Sequence, residues 1–336
     1  MKNKSSTFVK GRARGKTIFP SLYLLFSVFG IVILQSCGTD PQAPPPPPLQ
    51  EISYPAFSAD TAYALIEKQL SFGPRVPNTQ GHVDCAKWMQ DKLTAYGAKV
   101  QVQEAVLRAY DGTQLNSKNI IASFNPDKVR RIMLSAHWDT RPVADQDSVR
   151  RDEPIPGAND AGSGVAVLME LARLMQQQTP QVGVDLFFWD SEDYGNPNVD
   201  NSYGLGAQHW ARNKHNPAYL PMYGINLDMV GAKDAYFSRE GLSMKYAPKI
   251  VEKVWQTARR LGHDTYFKTH RSAPLTDDHR YVNEIAKIQM IDIIDQPNGQ
   301  GFFKHWHTHQ DDIQAISKET LHAVGETMAD VVYREK

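Results

Sequence analysis

Five short segments concentrate the carboxylate and imidazole groups of this chain. They are Ala136-His137-Trp138-Asp139-Thr140, Gly157-Ala158-Asn159-Asp160-Ala161-Gly162-Ser163-Gly164, Asp190-Ser191-Glu192-Asp193, Asn226-Leu227-Asp228-Met229-Val230-Gly231 and His305-Trp306-His307-Thr308-His309, the last followed by Asp311 and Asp312. An aspartate at a strand end ordinarily forms a turn or caps a helix, and a lone histidine is ordinarily structural. Five such segments in succession are too many for that explanation. Oxygen and imidazole donors suit zinc, and a catalytic zinc takes about three protein ligands and keeps one position open. The chain has two cysteines, Cys37 and Cys85, with no Cys-x-x-Cys pair. A disulfide framework and a thiolate metal site are therefore excluded, and any metal must be held by His and carboxylates.

These donors need a scaffold, and the hydrophobic pattern supplies one. Helices are predicted over Ala59–Leu70, with Ser58 or Asp60 near the cap, and over Gly81–Tyr96, Ser163–Gln177, Leu205–Asn213, Lys249–Leu261 and Lys318–Tyr333. Strands are predicted at Val100–Leu107, Asn119–Phe124, Arg131–Ala136, Val182–Trp189, Met222–Asp228 and Ile288–Ile294. Strands alternating with helices imply an α/β fold: a single globular domain from residue 53 to 336, with a central mixed, mostly parallel sheet flanked by helices. In such sheets ligands bind beyond the carboxyl ends of strands, where most of the five segments fall.

Composition sets the wider limits. At 336 residues, 41% hydrophobic and 22% charged, the chain reads as an ordinary globular protein. Its formal net charge of zero and lack of a basic stripe give no reason to expect nucleic acid as a partner. Nothing argues for a second subunit, so a monomer is expected.

The N-terminus reads differently. Lys2, Lys4, Lys10, Arg12, Arg14 and Lys16 precede an apolar run, Leu22–Leu34, too short for a comfortable membrane span and suited to a signal peptide over residues 1–36. It ends at Gln35-Ser36-Cys37, which resembles a bacterial lipobox except that Gln35 is larger than the usual residue. This predicts an exported lipoprotein anchored to the membrane through lipidated Cys37 and facing the periplasm or cell surface. Residues 37–52 hold five consecutive prolines, Pro44–Pro48, and read as a stiff spacer. Cys85 is then the remaining thiol, expected to be a small buried helix residue.

From about Pro74 onward the chain resembles the zinc aminopeptidase clan, and within it the animal-type and bacterial glutaminyl cyclases. The five segments carry the resemblance, in the same order. It implies Asp160, Asp193 and His307 as zinc ligands, Glu192 as general acid–base, Asp228 as the carboxylate facing the substrate amine, and Asp277 as its hydrogen-bonding partner. Trp306 and Phe302 fall where the cyclases line their substrate pocket. The implied reaction converts the N-terminal glutamine of peptides or proteins to pyroglutamate with release of ammonia.

The alternative within the clan is an aminopeptidase that binds two zinc ions, adding residues that match His137 and Asp228. In a cyclase, which binds one zinc, His137 and Asp139 support the ligands or stand idle. Trp306 before His307, the Tyr203-Gly204 segment that opens a helix, and Asp193 in place of Glu resemble the cyclases. Two departures stand beside them: Tyr194 is the one aromatic between residues 194 and 198, and Asp292 stands where animal cyclases have His. A binding protein with a decayed site is a third reading, opposed by Glu192, because a purely metal-binding module has no use for a base there.

Overall fold

The computed structural model describes residues 52–297 and 301–336. The predicted signal segment 1–36, the lipidation of Cys37 and all but the last residue of the 37–52 spacer lie outside the described residues. No helix among the described residues is long and apolar enough to cross a membrane.

Two strands, β1 (Lys99–Arg108) and β2 (Gln114–Phe124), form a hairpin that opens the main sheet. They are followed by β3 (Arg131–His137), β4 (Gly183–Trp189), β5 (Gly224–Asp228) and β8 (Met290–Ile294). The sheet order is β1-β2-β4-β3-β5-β8. The β1–β2 and β2–β4 pairs are antiparallel, whereas β4–β3, β3–β5 and β5–β8 are parallel, so the sheet is mixed as the sequence implies. Two short strands, β6 (Phe237–Arg239) and β7 (Phe267–Arg271), pair separately.

Side chains alternate across a strand, so each strand feeds both faces of the sheet. Ile132, Leu134 and Ala136 of β3, Val184, Leu186 and Phe188 of β4, and Ile225 and Leu227 of β5 point into the larger core. That core is closed by α1 (Ala59–Leu70), α2 (Gln80–Ala95), α3 (Gly162–Gln177), α6 (Pro248–Arg260) and α8 (Lys318–Arg334). The opposite face carries Met133, Phe187 and Trp189, packed on Ala207, Trp210 and Ala211 of α4 (Leu205–Arg212). Burying each such large side chain contributes about 1.5–3 kcal/mol. On that second face, toward the carboxyl ends of β3, β5 and β8, the alternation delivers His137, Asn226, Asp228 and Asp292 in place of apolar groups.

The connections also locate the site. Helix α3 links β3 to β4 over one face, while α4 lies between β4 and β5 on the other, and β3 sits between β4 and β5. The chain therefore reverses direction across the sheet at β3, which opens a crevice beyond its end. Helix α3 enters that crevice closely: a Cβ on Gly164 would stand 2.3 Å from the Leu227 carbonyl oxygen and 2.9 Å from the Ala136 Cβ.

Local signals account for most element ends. Ser58 caps α1 through its hydroxyl, Thr79 caps α2 and Ser317 caps α8. Cys85 is fully buried on α2, and burial pushes its thiol up to about 12. The elements not anticipated are short: β6, β7, α5 (Gly241–Tyr246), α7 (Asp278–Tyr281) and the π-turn Val282–Ala286. Each has too few residues to display a period.

Candidate metal centre and substrate pocket

The strand ends deliver the donors directly. His137 closes β3, Asp228 closes β5, and Glu192 and Asp193 lie just past β4. The turns that aim them are sharp. Ser191, Met229 and His307 all adopt left-handed backbone, at φ +58°, +50° and +56°, a conformation that a side chain makes costly and that gathers at functional sites. Asp160 sits ahead of α3 and precedes a cis peptide bond to Ala161. The N-cap of α3 is Ala161, with no side-chain cap, so Asp160 is not used as a helix cap.

Asp160, Asp193 and His307 are buried and bring one donor atom each within 4.8 Å of one another. His307 Nε2 lies 3.2 Å from Asp193 Oδ1 and 3.8 Å from Asp160 Oδ2. Ligands at ~2.0–2.1 Å around a tetrahedral zinc stand ~3.3 Å apart, so the observed spacing needs little adjustment. Asp193 Oδ2 is buried without a hydrogen-bond partner. A carboxylate oxygen in that position calls for a cation. Two carboxylates and one imidazole around an orphaned oxygen fit zinc.

A second trio shares Asp160. His137 Nε2 lies 3.0 Å from Asp160 Oδ1 and 3.2 Å from Asp228 Oδ1. Asp139 joins neither trio. Its two carboxylate oxygens accept the backbone N–H groups of Glu192 and Asp193, at 3.0 and 3.2 Å. It braces the turn after β4, the supporting role that the sequence reading sets beside a second-metal one.

Several supports escaped the sequence reading. Asp145 Oδ1 lies 3.0 Å from His307 Nδ1. Arg141 grips Asp145 with Nε and a terminal nitrogen, and its other terminal nitrogen donates to the Asp193 and Gly195 carbonyls at 2.9 and 3.0 Å. Two residues on, Asp147 accepts from the backbone N–H of His309 at 2.9 Å and pairs with its ring. Asp311 accepts the N–H groups of Asn159 and Asp160 at 2.8 and 3.1 Å. The alternation of Asp145 and Asp147 against His307 and His309 is visible in the sequence, but only once the two loops are known to meet.

Behind Asp228 lies a row of polar groups in strand register. Ser135 donates to Asn226 Oδ1 at 2.5 Å, and Asn226 Nδ2 donates to Asp277 at 2.9 Å and to Asp292 at 3.3 Å. Asp277 also caps α7 through the Asp278 N–H. Its hydrogen bonds thus go to Asn226 and its own helix, not to Asp228, which corrects the expected pairing. His279 lies between Glu240, at 3.2 Å, and Asp292, at 3.6 Å.

Burial and crowding reshape the acid strengths. Burial, aided by Asp193, Asp278 and Asp277, lifts Glu192 well above the usual carboxylate range against the opposing pull of His137. Burial likewise raises Asp228 to about 7, with His137 opposing. Burial disfavours charge on His307, but Asp193 and Asp145 outweigh it and raise the imidazole to about 9. That convergence of negative charge is what a bound cation would exploit, displacing the proton.

A cavity of about 270 Å³ opens beside these groups. Glu192, Asp228 and Asp277 line it, with Met229, Ile294, Phe302 and Trp306 as its apolar wall. The Trp306 ring stacks on His307 at 3.7 Å between centroids, and Phe302 sits 4.5 Å from Trp306. Tyr203 and Arg280 also line the cavity, whereas the Tyr194 ring packs near Tyr110, 6.5 Å away.

Known proteins resemble this chain in sequence and fold. The glutaminyl cyclase of Bacteroides thetaiotaomicron, solved with N-acetylhistamine, is 46% identical over 84% of this chain and all of that one, with a TM-score of 0.83. The glutaminyl cyclase of Tannerella forsythia is 48% identical over 84% and 100%, at 0.82. A Zn-dependent exopeptidase from Parabacteroides distasonis ATCC 8503 is 46% identical over the same shares, also at 0.82. The chain spans about half the length of two of the curated relatives it matches, 56% of one and 42% of the other. Residues 119–332, which hold every donor described above, match the model of Peptidase family M28, and the chain belongs to that family.

Proposed function

We propose that this chain is a zinc-dependent glutaminyl-peptide cyclotransferase, acting on peptides or proteins that begin with glutamine. The observation that carries the reading is Trp306 stacked on His307 at the wall of a cavity of about 270 Å³, small enough for one side chain and a peptide terminus. The two similar glutaminyl cyclases support it. Asp160, Asp193 and His307 would hold one zinc ion, which supplies Lewis acidity toward the γ-amide carbonyl oxygen.

The protein's own groups do the rest. Trp306 and Phe302 offer a flat apolar surface to the glutamine methylenes and keep water from the reacting carbon. Asp228 holds the α-amine in line with the γ-carbon. Glu192, buried and held by Asp139 through its backbone, takes a proton from that amine as the nitrogen attacks, and returns it to the leaving ammonia. Attack is intramolecular, so positioning supplies much of the acceleration and no catalytic water is needed. Burial, which raises the pKa of Glu192 above the usual carboxylate range, suits a group that must both accept and release a proton. The Ser135–Asn226–Asp277 row keeps Asp277 fixed beside this pair.

A second reading has its own support. His137, Asp160 and Asp228 form a second donor trio, which a dizinc aminopeptidase would fill. In the cyclase reading a proton on His137 Nε2 serves both carboxylates instead. The experiment is to incubate the purified protein with a Gln-peptide and a Leu-peptide and to count zinc at the centre. Ammonia and a pyroglutamyl product from the Gln-peptide, with one zinc, support the cyclase; free leucine with two zincs overturns it.

The same reading extends to the whole chain: residues 1–36 as a lipoprotein signal peptide, 37–52 as a spacer from lipidated Cys37, and 53–336 as a monomeric catalytic domain held at a membrane facing the periplasm or cell surface. The sequence of the N-terminus supports this; metabolic labelling with a fatty acid, compared with Cys37→Ser, tests it.

A further inference from the structure

We propose that His263, His322 and Glu326 form an accessory metal site that takes a divalent transition ion such as Zn2+ or Cu2+. None of the three lines the cavity at Trp306, and the inference stands apart from the cyclase reading.

His322 and Glu326 are four residues apart on α8, so their side chains share one face of that helix. His263 comes from the turn after α6 and is fixed by its backbone. Its N–H donates to the Ala258 carbonyl at 2.8 Å, and its carbonyl accepts from Tyr266 and Phe267 at 3.0 and 3.2 Å. Both imidazoles converge on one oxygen: His263 Nε2 lies 2.7 Å and His322 Nε2 3.5 Å from Glu326 Oε2. One donor atom from each residue falls within 4.8 Å of the other two.

An ion pair explains only half of this. One imidazole suffices to hydrogen-bond Glu326, and His263 already does so at 2.7 Å. The second imidazole does not stack on the first. The rings stand at 89° with centroids 5.7 Å apart, and both Nε2 atoms face the same Glu326 oxygen. Two imidazoles and a carboxylate, with the Glu326 oxygen 2.7 and 3.5 Å from the two Nε2 atoms and one donor atom of each residue within 4.8 Å of the others, make a three-ligand site with a free position for water. The donors sit at the surface, with side-chain exposures of 13%, 48% and 33% for His263, His322 and Glu326, so an ion can enter without unfolding. A bound ion would tie α8 to the turn after α6.

The test uses the purified, untagged protein carrying its catalytic metal, titrated with Zn2+ by calorimetry and with Cu2+ by electron paramagnetic resonance. His322→Ala is the main variant, because that side chain is exposed and its loss spares the His263–Glu326 pair. His263→Ala combined with His322→Ala is the second. Wild type should bind one more ion per chain than either variant, or bind it at least tenfold more tightly. Its Cu2+ signal should show nitrogen coupling that the double variant lacks, while turnover is unchanged in His322→Ala. Equal stoichiometry and affinity in wild type and both variants, with the same Cu2+ spectrum, would mean an ion pair only and would overturn the site.

Discussion

Asp145 holds Nδ1 of His307 at 3.0 Å, and this turns the opposite nitrogen, Nε2, toward Asp193 at 3.2 Å. A carboxylate behind a histidine fixes the tautomer and the ring plane and raises the basicity of the ligating nitrogen. Asp145 is itself held in its charged form. Burial alone would raise its pKa, but His307 and Arg141 outweigh burial and depress it.

Asp145→Asn should therefore weaken zinc binding by about 10- to 100-fold while leaving the fold intact. Zinc release to a competing chelator, followed against the wild type, checks this. Release at the wild-type rate would show that Asp145 does not orient the ligand.

Glu192→Gln should lower turnover by at least ~10²-fold, because the amide cannot carry the proton from amine to ammonia. Zinc content should stay the same, since the proposed donors are Asp160, Asp193 and His307. Substantial activity in the zinc-loaded variant would remove Glu192 from the proton path.

Trp306→Ala should raise KM for a Gln-peptide by about 3- to 10-fold, the loss of one aromatic contact worth ~0.5–1.5 kcal/mol. Its effect on kcat should be smaller. A fall in kcat with KM unchanged would instead assign Trp306 to holding the His307 ring.

Asp295 offers a pH test away from the metal centre. It is buried, accepts the Tyr236 N–H at 2.9 Å, and burial raises its carboxyl to about 7 against that hydrogen bond. The unfolded value is about 3.9. Below the unfolded value both states are protonated and the contribution to stability is fully present. As pH rises toward 7 the unfolded chain loses the proton first, and the contribution is lost through the folded value. Asp295→Asn should therefore flatten the fall in stability between pH 4 and 7 by up to ~1.4 kcal/mol per pH unit. Urea midpoints at pH 5 and pH 8 measure this; parallel pH profiles would count against it.

Gly164→Ala should destabilise the protein by ~1–3 kcal/mol, the usual cost of forcing an extra carbon into a packed contact. An exposed helical glycine would show the opposite sign, a gain of up to ~1 kcal/mol. The added Cβ would press on the Leu227 carbonyl, next to Asp228, so activity should fall with stability. A stabilised, fully active variant would show that α3 and β5 have room to spare.

The large elements were legible because they carry their own periods. β3, β4, β5 and β8 read as apolar runs, and α3 and α8 as long helical stretches, each within a few residues of its observed ends. The candidate donors Asp160, Asp193 and His307, which the fold brings together, could be picked out because they sit in compact segments whose order resembles a known clan. Asp145 and Arg141 were not legible. Their importance comes from a loop folding onto a distant turn, and no local pattern encodes that. Asp139 is left with two readings for a related reason: its chemistry permits metal binding or support of the ligands, and only its proximity to two backbone N–H groups favours support. Asp277 likewise looked like a partner of Asp228 until Asn226 was seen to take its carboxylate.

The stitches between the loop after β3 and the turn at His307 have a consequence for biosynthesis. His307 meets Asp145, and His309 meets Asp147, across 162 residues of chain, while Asp311 reaches Asn159 across 152. A chain emerging from the ribosome can begin to pair β3, β4 and β5 long before residue 307 exists. It cannot assemble the metal-binding trio. The centre is thus silent on every chain that ends before residue 307, and recovery of tightly held zinc during refolding should report that the segment around His307 has docked.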